Sequence, residues 1–378
     1  MLRKNAKRIG LLALALLLLL GAGLGAATYV VYQRQKYNKP LLDAVNAGDI
    51  ARIKSLLAKG ADVNVHESHA SSSFSQFLLE FYRRVRGQNE LTPSALGLAA
   101  RERHFDIVRL LLDRGADVGS RDPESGVALI YALEEDQPDI VKTLLDRNAN
   151  VNGKDKDGKT PLLWAIQHRR EELVKTFMEH SANVNAADDD GETPIMVATN
   201  WGAAGLVQRL LDAGADVQQK NKEGQSALML AAYDPEIQQL LLSHTKDVNA
   251  ADSEGHTALM WAAERGDGQA AMALLARGAN DRAVGRDGMT VLMWATIGCD
   301  GDLIRALLKR GADVNARDKD GRTALMLAAQ GAQIEAVKLL LEHGADPRIA
   351  DHKGQTALQA ASGFTSIETL LRQANAAR

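Results

Sequence analysis

A period of 33 residues limits what this chain can fold into more than any other feature. A glycine two places before a threonine or its substitute recurs at Gly158, Gly191, Gly224, Gly255, Gly288, Gly321 and Gly354, at intervals of 33, 33, 31, 33, 33 and 33 residues. Each is followed by a short alanine-rich helical phrase such as TPLLWAIQHR, TALMWAAERG or TALMLAAQGA, then by a second helical phrase ending in a Leu-Leu pair and a closing phrase such as GADVN. One such unit can bury only one of its faces, so neighbouring units must supply the other, and the chain is read as stacked thin layers. Composition agrees: of 378 residues 4% are aromatic and 32 are glycine, too few rings for one thick core.

Thr160, Thr193, Thr257, Thr290, Thr323 and Thr356 stand where a hydroxyl caps the first helix, and Pro161 and Pro194 occupy its first turn. Alanines such as Ala262, Ala263, Ala328 and Ala329 keep that helix thin. Bulk comes from the second helix, through Leu144/Leu145, Leu210/Leu211, Leu274/Leu275, Leu307/Leu308 and Leu340/Leu341. Gly60, Gly115, Gly214, Gly278, Gly311 and Gly344 then end it in a conformation that side chains disfavour. Polar stretches of the type KDKDG or RDKDG join the units and predict projecting hairpins.

On these phrases, seen from Gly321-Arg-Thr-Ala-Leu-Met-Leu-Ala-Ala through Val337-Lys-Leu-Leu-Leu-Glu-His-Gly-Ala-Asp, the chain resembles the ankyrin-repeat family. The resemblance implies an all-α repeat solenoid of helix-turn-helix units with projecting β-hairpin loops, about ten repeats over residues 40–373, with 374–378 as a tail. The family's histidine after Pro-Leu is replaced by Leu163, Met196, Met229, Met260, Met293 and Met326, which predicts packing by flexible thioethers. Trp164, Trp261 and Trp294 occupy a usually smaller core position and are read as packing, with ligand contact as the alternative. The third repeat lacks one residue after Gly126, and the sixth is shortened by two around Tyr233 to Glu236.

Residues 1–39 differ from the rest. Arg3, Lys4, Lys7 and Arg8 precede an uncharged run over 9–32, after which Arg34, Lys36 and Lys39 restore polarity. Twenty-four residues reach about 36 Å as a helix, enough to cross a hydrocarbon core of about 30 Å. The expectation is a single-pass anchor at a bacterial inner membrane with the repeats in the periplasm. Alternatives are a repeat region on the cytoplasmic side, or a signal peptide cleaved after Ala27 and a secreted domain. The spacing of Gly21 and Gly25 allows weak self-association of the spanning helix. No cysteine lies near for lipid attachment, and the lone Cys299 excludes an internal disulfide and a Cys-based zinc site.

After the first repeat closes at Asn64, residues 65–91 form an insertion. Phe74, Phe77, Leu78, Phe81 and Val85 fall on one helical stripe, predicting an amphipathic helix that either folds back on the first repeats or docks on a partner or membrane surface. His66, Glu67 and His69 lack the register of a metal site and are read as solvated.

Forty-five Lys and Arg against 48 Asp and Glu leave a charge of −3, unsuited to a nucleic-acid partner. No P-loop, G-x-S-x-G, HExxH or EF-hand phrase occurs, and the recurring aspartates belong to the period, so no enzyme, cofactor or metal is expected. Variation is concentrated seven and eight residues after each capping position. By resemblance these side chains line a concave, protein-binding face. The candidate contacts are Arg101, Glu135, His168, Arg169, Arg170, Asn200, Trp201, Tyr233, Asp234, Glu264 and Arg265, with Phe77 and Phe81 of the insertion. Trp201, with Arg169 and Arg170 one repeat before and Tyr233 one repeat after, is the expected centre. The function expected is a membrane-tethered protein-interaction scaffold; the alternative is an inhibitor or protective cap of a partner enzyme using the same face.

Overall fold

A computed structural model describes residues 34–66, 94–118, 125–231 and 234–376. After a π-helical turn at Arg34–Asn38 the described residues form ten helix pairs. In the first compact unit, Met1–Asn183, these are α1 (Lys39–Asn46) with α2 (Ile50–Ala58), α3 (Ala95–Arg101) with α4 (Phe105–Asp113), α5 (Ser125–Glu134) with α6 (Pro138–Asp146), and α7 (Pro161–Gln167) with α8 (Glu171–Glu179). In the second unit, Val184–Arg378, they are α9 (Pro194–Asn200) with α10 (Ala204–Asp212), α11 (Ala227–Leu230) with α12 (Pro235–His244), and α13 (Ala258–Glu264) with α14 (Gly268–Ala276). The second unit continues with α15 (Val291–Ile297) and α16 (Gly301–Lys309), α17 (Ala324–Gln330) and α18 (Ile334–Glu342), and α19 (Ala357–Ala360) and α20 (Thr365–Ala376). Within each unit first helices pack on first helices and second on second, the expected all-α repeat solenoid.

The repeat phrase explains each pair. Ser94, Thr160, Thr257, Thr290 and Thr323 accept a backbone N–H three residues on, as caps do. Thr193 departs from this, its hydroxyl buried with no hydrogen-bond partner. The methionines of the first helices are buried, each at most 4% exposed, so thioethers do fill the gap left by the family histidine. Leu144, Leu210, Leu274, Leu307 and Leu340 of the second helices are at most 1% exposed, and each contributes about 2 kcal/mol of apolar burial.

Polar ties run between repeats. The asparagine of the closing phrase accepts the backbone N–H of the corresponding phrase one repeat later: Asn64 from Asp117 and Asn152 from Asn183 in the first unit, Asn249 from Asn280 and Asn315 from Asp346 in the second, at 2.7–2.8 Å. The hairpins carry isolated bridges such as Val284 to Thr290. In the second unit their tips are hydrogen-bonded in series, Lys222 N–H to Asp190, Ser253 to Glu223, Arg286 to Glu254, Lys319 to Asp287 and His352 to Asp320. Gly224 and Gly288 make this possible. Both have φ near +80°, and a Cβ there would lie 2.6 Å from the Ser253 nitrogen or 2.8 Å from the Lys319 nitrogen.

At α19 the register of the buried methionines is taken by Gln359, which is exposed and accepts the Thr356 N–H at 2.7 Å. A polar outer face is what a terminal layer needs. The shortened sixth repeat appears as the four-residue helix α11.

Two sequence expectations fall outside the described residues: the amphipathic helix with Phe77 and Phe81, and the span over 9–32. Among the described residues no helix is long and apolar enough to cross a membrane. The longest, α20, has 12 residues, about 18 Å against the roughly 30 Å required. With no spanning helix found, the expected anchor, its self-association and the inner-membrane placement are withdrawn.

Candidate functional site

In the first unit, Arg101 ends α3, is exposed, and pairs with Glu102 at 3.3 Å. Glu135 pairs with Arg103 of the preceding repeat, which also holds Glu134 at 2.9 Å and lies 5.8 Å from the Tyr131 ring centre. His168 stacks on Trp164, ring centres 4.0 Å apart, and its Nδ1 is 2.8 Å from the Trp164 carbonyl. Arg169 occupies the turn at φ 55°. Arg170 opens α8 and lines a cleft of about 300 Å³ between α6 and α8, floored by Leu133, Val141, Leu145, Trp164 and Leu173.

In the second unit, Asn200 ends α9 exposed, and Trp201 follows it partly exposed. Gly202 turns at φ 68°. Asp234 is committed to structure: its Oδ1 accepts the backbone N–H groups of Glu236 and Ile237, capping α12. Arg265 is also tied. Its guanidinium lies 5.1 Å from the Trp261 ring centre and donates at 3.0 Å to the Met229 carbonyl near the end of the truncated α11. Glu264 ends α13 partly exposed, and Tyr233 lies outside the described residues.

Sequence reasoning missed a ring cluster in this unit. His256 meets Trp261 and Trp294 edge-on, at centroid distances of 5.8 and 5.2 Å. Its Nε2 is 3.5 Å from Asp287 Oδ2, and Trp261 Nε1 donates to Asp252 Oδ2 at 3.0 Å. The cluster had a legible signal. The residue one turn after each tryptophan is His168, Arg265 or Gly298, and the first two cover their ring whereas glycine cannot. Near the start of the same unit, burial pushes the Glu192 carboxyl above the usual glutamate range, although Asn221 donates to it at 2.8 Å; Asp188, Glu223 and Asp190 add to the rise.

Among the described residues there is no group of three or more His, Cys, Asp or Glu side chains that would hold a metal ion.

A family model described as ankyrin repeats (3 copies) matches residues 14–155, 129–221, 186–252, 202–283, 228–318 and 292–377, and the chain belongs to the ankyrin-repeat family. The first match begins inside the run expected to cross a membrane. No curated protein matches the chain. Among solved structures it is similar to the ankyrin repeat domain of Bcl-3, described as a unique member of the IkappaB protein family, at 28% identity over 57% of this chain and 100% of that chain, with a TM-score of 0.47.

Proposed function

We propose that the chain binds a partner protein through the exposed ends of its first helices and acts by covering it, as an inhibitor or protective cap of a partner enzyme, with no catalysis of its own. One observation carries the reading. The repeat buries nearly everything it holds constant, while the ends of α3, α7 and α9 leave Arg101, His168, Asn200 and Trp201 at least partly exposed, with a different chemistry in each repeat. Mixed charge, amide and indole groups suit a protein surface. The contacts proposed are Arg101, Glu135, His168, Arg169 and Arg170 in the first unit and Asn200, Trp201, Tyr233, Asp234, Glu264 and Arg265 in the second, with Phe77 and Phe81 of the insertion. For Asp234 and Arg265 this is a second role beside the structural one.

The test is isolation of the endogenous partner on the full chain, followed by assay of the partner's own activity. The expected result is a saturable change in that activity, with binding weakened about thirtyfold by Trp201→Ala at unchanged melting temperature. Tight binding that leaves the partner's activity and its lifetime unaltered would contradict the cap reading.

A further inference from the structure

Repeat six, in the second unit, departs from the repeat phrase at several separate places. Its first helix, α11, is one turn of four residues, and the side chain of Ser226 accepts no backbone N–H at its start. In α12, Gln238 is 6% exposed in the buried stripe where α10, α14, α16 and α18 place Val207, Ala271, Ile304 and Val337. An amide there gives up apolar burial and brings polar atoms into the core. α12 then ends at Thr245 in extended backbone, whereas α10, α14, α16 and α18 are closed by Gly214, Gly278, Gly311 and Gly344 in the left-handed conformation. The tie to the preceding repeat is altered too. Gln218 replaces the asparagine of the closing phrase, and the Asp247 N–H reaches it at 3.4 Å, against 2.7 Å at Asn185, Asn249 and Asn315.

Against these losses stands one contact supplied by repeat seven. Arg265 lies over the Trp261 ring, 5.1 Å from its centre, and donates at 3.0 Å to the Met229 carbonyl. That carbonyl lies in the last turn of α11, where a helix leaves its acceptors without partners of its own. The matching position of repeats eight and nine is Gly298 or Gly331, with no side chain to reach back. We infer that repeat six is the layer at which the second unit opens, and that Arg265 is the latch holding it shut. Stability in a stacked repeat is a sum over layers and their interfaces, so losses collected in one layer make that layer the first to open. The hairpin series runs on through it, from Ser253 N–H to Glu223 and from Arg286 N–H to Glu254, so the helices of repeat six can loosen while its tip stays moored. Trp261 holds the guanidinium in place over the neighbouring layer, and release requires only that Arg265 leave one carbonyl.

Hydrogen exchange of backbone amides, read segment by segment on the full chain, tests both parts. Amides of α12 are expected to exchange at least about tenfold faster than those of α14, α16 and α18. Arg265→Ala should speed α12 by about tenfold more and leave α16 and α18 unchanged. Gln238→Val should act in the opposite direction, slowing α12 toward its neighbours. Placed in the Gln238→Val background, Arg265→Ala can be measured on a protein whose weak layer has been reinforced. Arg310→Ala removes a surface pair with Asp281 in the same unit and should leave α12 as it was. Equal protection of α12 and α16, or no slowing by Gln238→Val, would overturn the weak layer. Exchange in α12 that ignores Arg265→Ala, that responds equally to Arg310→Ala, or that rises together with α16 and α18, would overturn the latch.

Discussion

Tryptophans at one register of the first helix are closed in the first unit and partly open in the second. In the first unit Leu98 is fully buried, and Trp164 is 7% exposed beneath the stacked ring of His168. In the second unit Trp261, Trp294 and Leu327 reach the surface, and Ile297 stands out beside them. The tryptophans are identical in type and in repeat position. The residue one turn later differs, His168 over Trp164, Arg265 over Trp261 and Gly298 after Trp294, yet Trp261 is partly exposed as Trp294 is, so that residue changes the cover of a ring without alone deciding its exposure.

The sharpest way to break this contrast is to truncate equivalent tryptophans. Trp164→Ala is expected to cost about 3–5 kcal/mol in urea unfolding, the range for a buried aromatic, because a cavity opens beneath His168. Trp294→Ala is expected to cost about 1–2 kcal/mol, since part of its ring already meets water. Equal losses would mean that both rings are core.

Next in size is the hairpin series of the second unit. Gly224→Ala puts a Cβ 2.6 Å from the Ser253 nitrogen at a left-handed φ, and is expected to destabilise this unit by about 3 kcal/mol. Gly278→Ala meets nothing within 4 Å and incurs only the backbone penalty, about 1 kcal/mol. Thermal melts of the two variants check whether the tips are a structural tie or an incidental contact.

The smallest effect is electrostatic. Between the ordinary glutamate value and its raised native one, Glu192 keeps a proton in the folded chain that the unfolded chain has released, so stability falls as pH rises from about 4.3 through that window. Glu192→Gln keeps an acceptor for Asn221 and removes this slope. It should therefore stabilise the protein at neutral pH, by less than about 0.5 kcal/mol after solvent screening, and pH-dependent melts of the two proteins will show it.

Much of the fold was legible because the period is local and repeated. The capping hydroxyls of Thr160, Thr257, Thr290 and Thr323, the methionine register, the glycines that end the second helices and the shortened sixth repeat stand where the phrase placed them, whereas Thr193 makes no cap. The asparagine of the closing phrase was seen only as part of a motif. Its work is done on a backbone N–H about thirty residues away, which no local pattern reveals. Asp234 and Arg265 were chosen as contacts because they vary, but one caps α12 and the other ties a truncated helix, roles that arise from the irregular repeat itself. Trp261 and Trp294 pack on His256, as their register suggests, but register alone does not report that each is also partly exposed. The apolar run over 9–32 was read as a span from length and hydropathy, and that reading finds no support in the described helices.

Acrylamide quenching of two proteins, each retaining a single tryptophan, tests the contrast most directly. With the other indoles changed to phenylalanine, Trp294 should be quenched more steeply than Trp164. Equal quenching of the two, or steeper quenching of Trp164, would contradict the account.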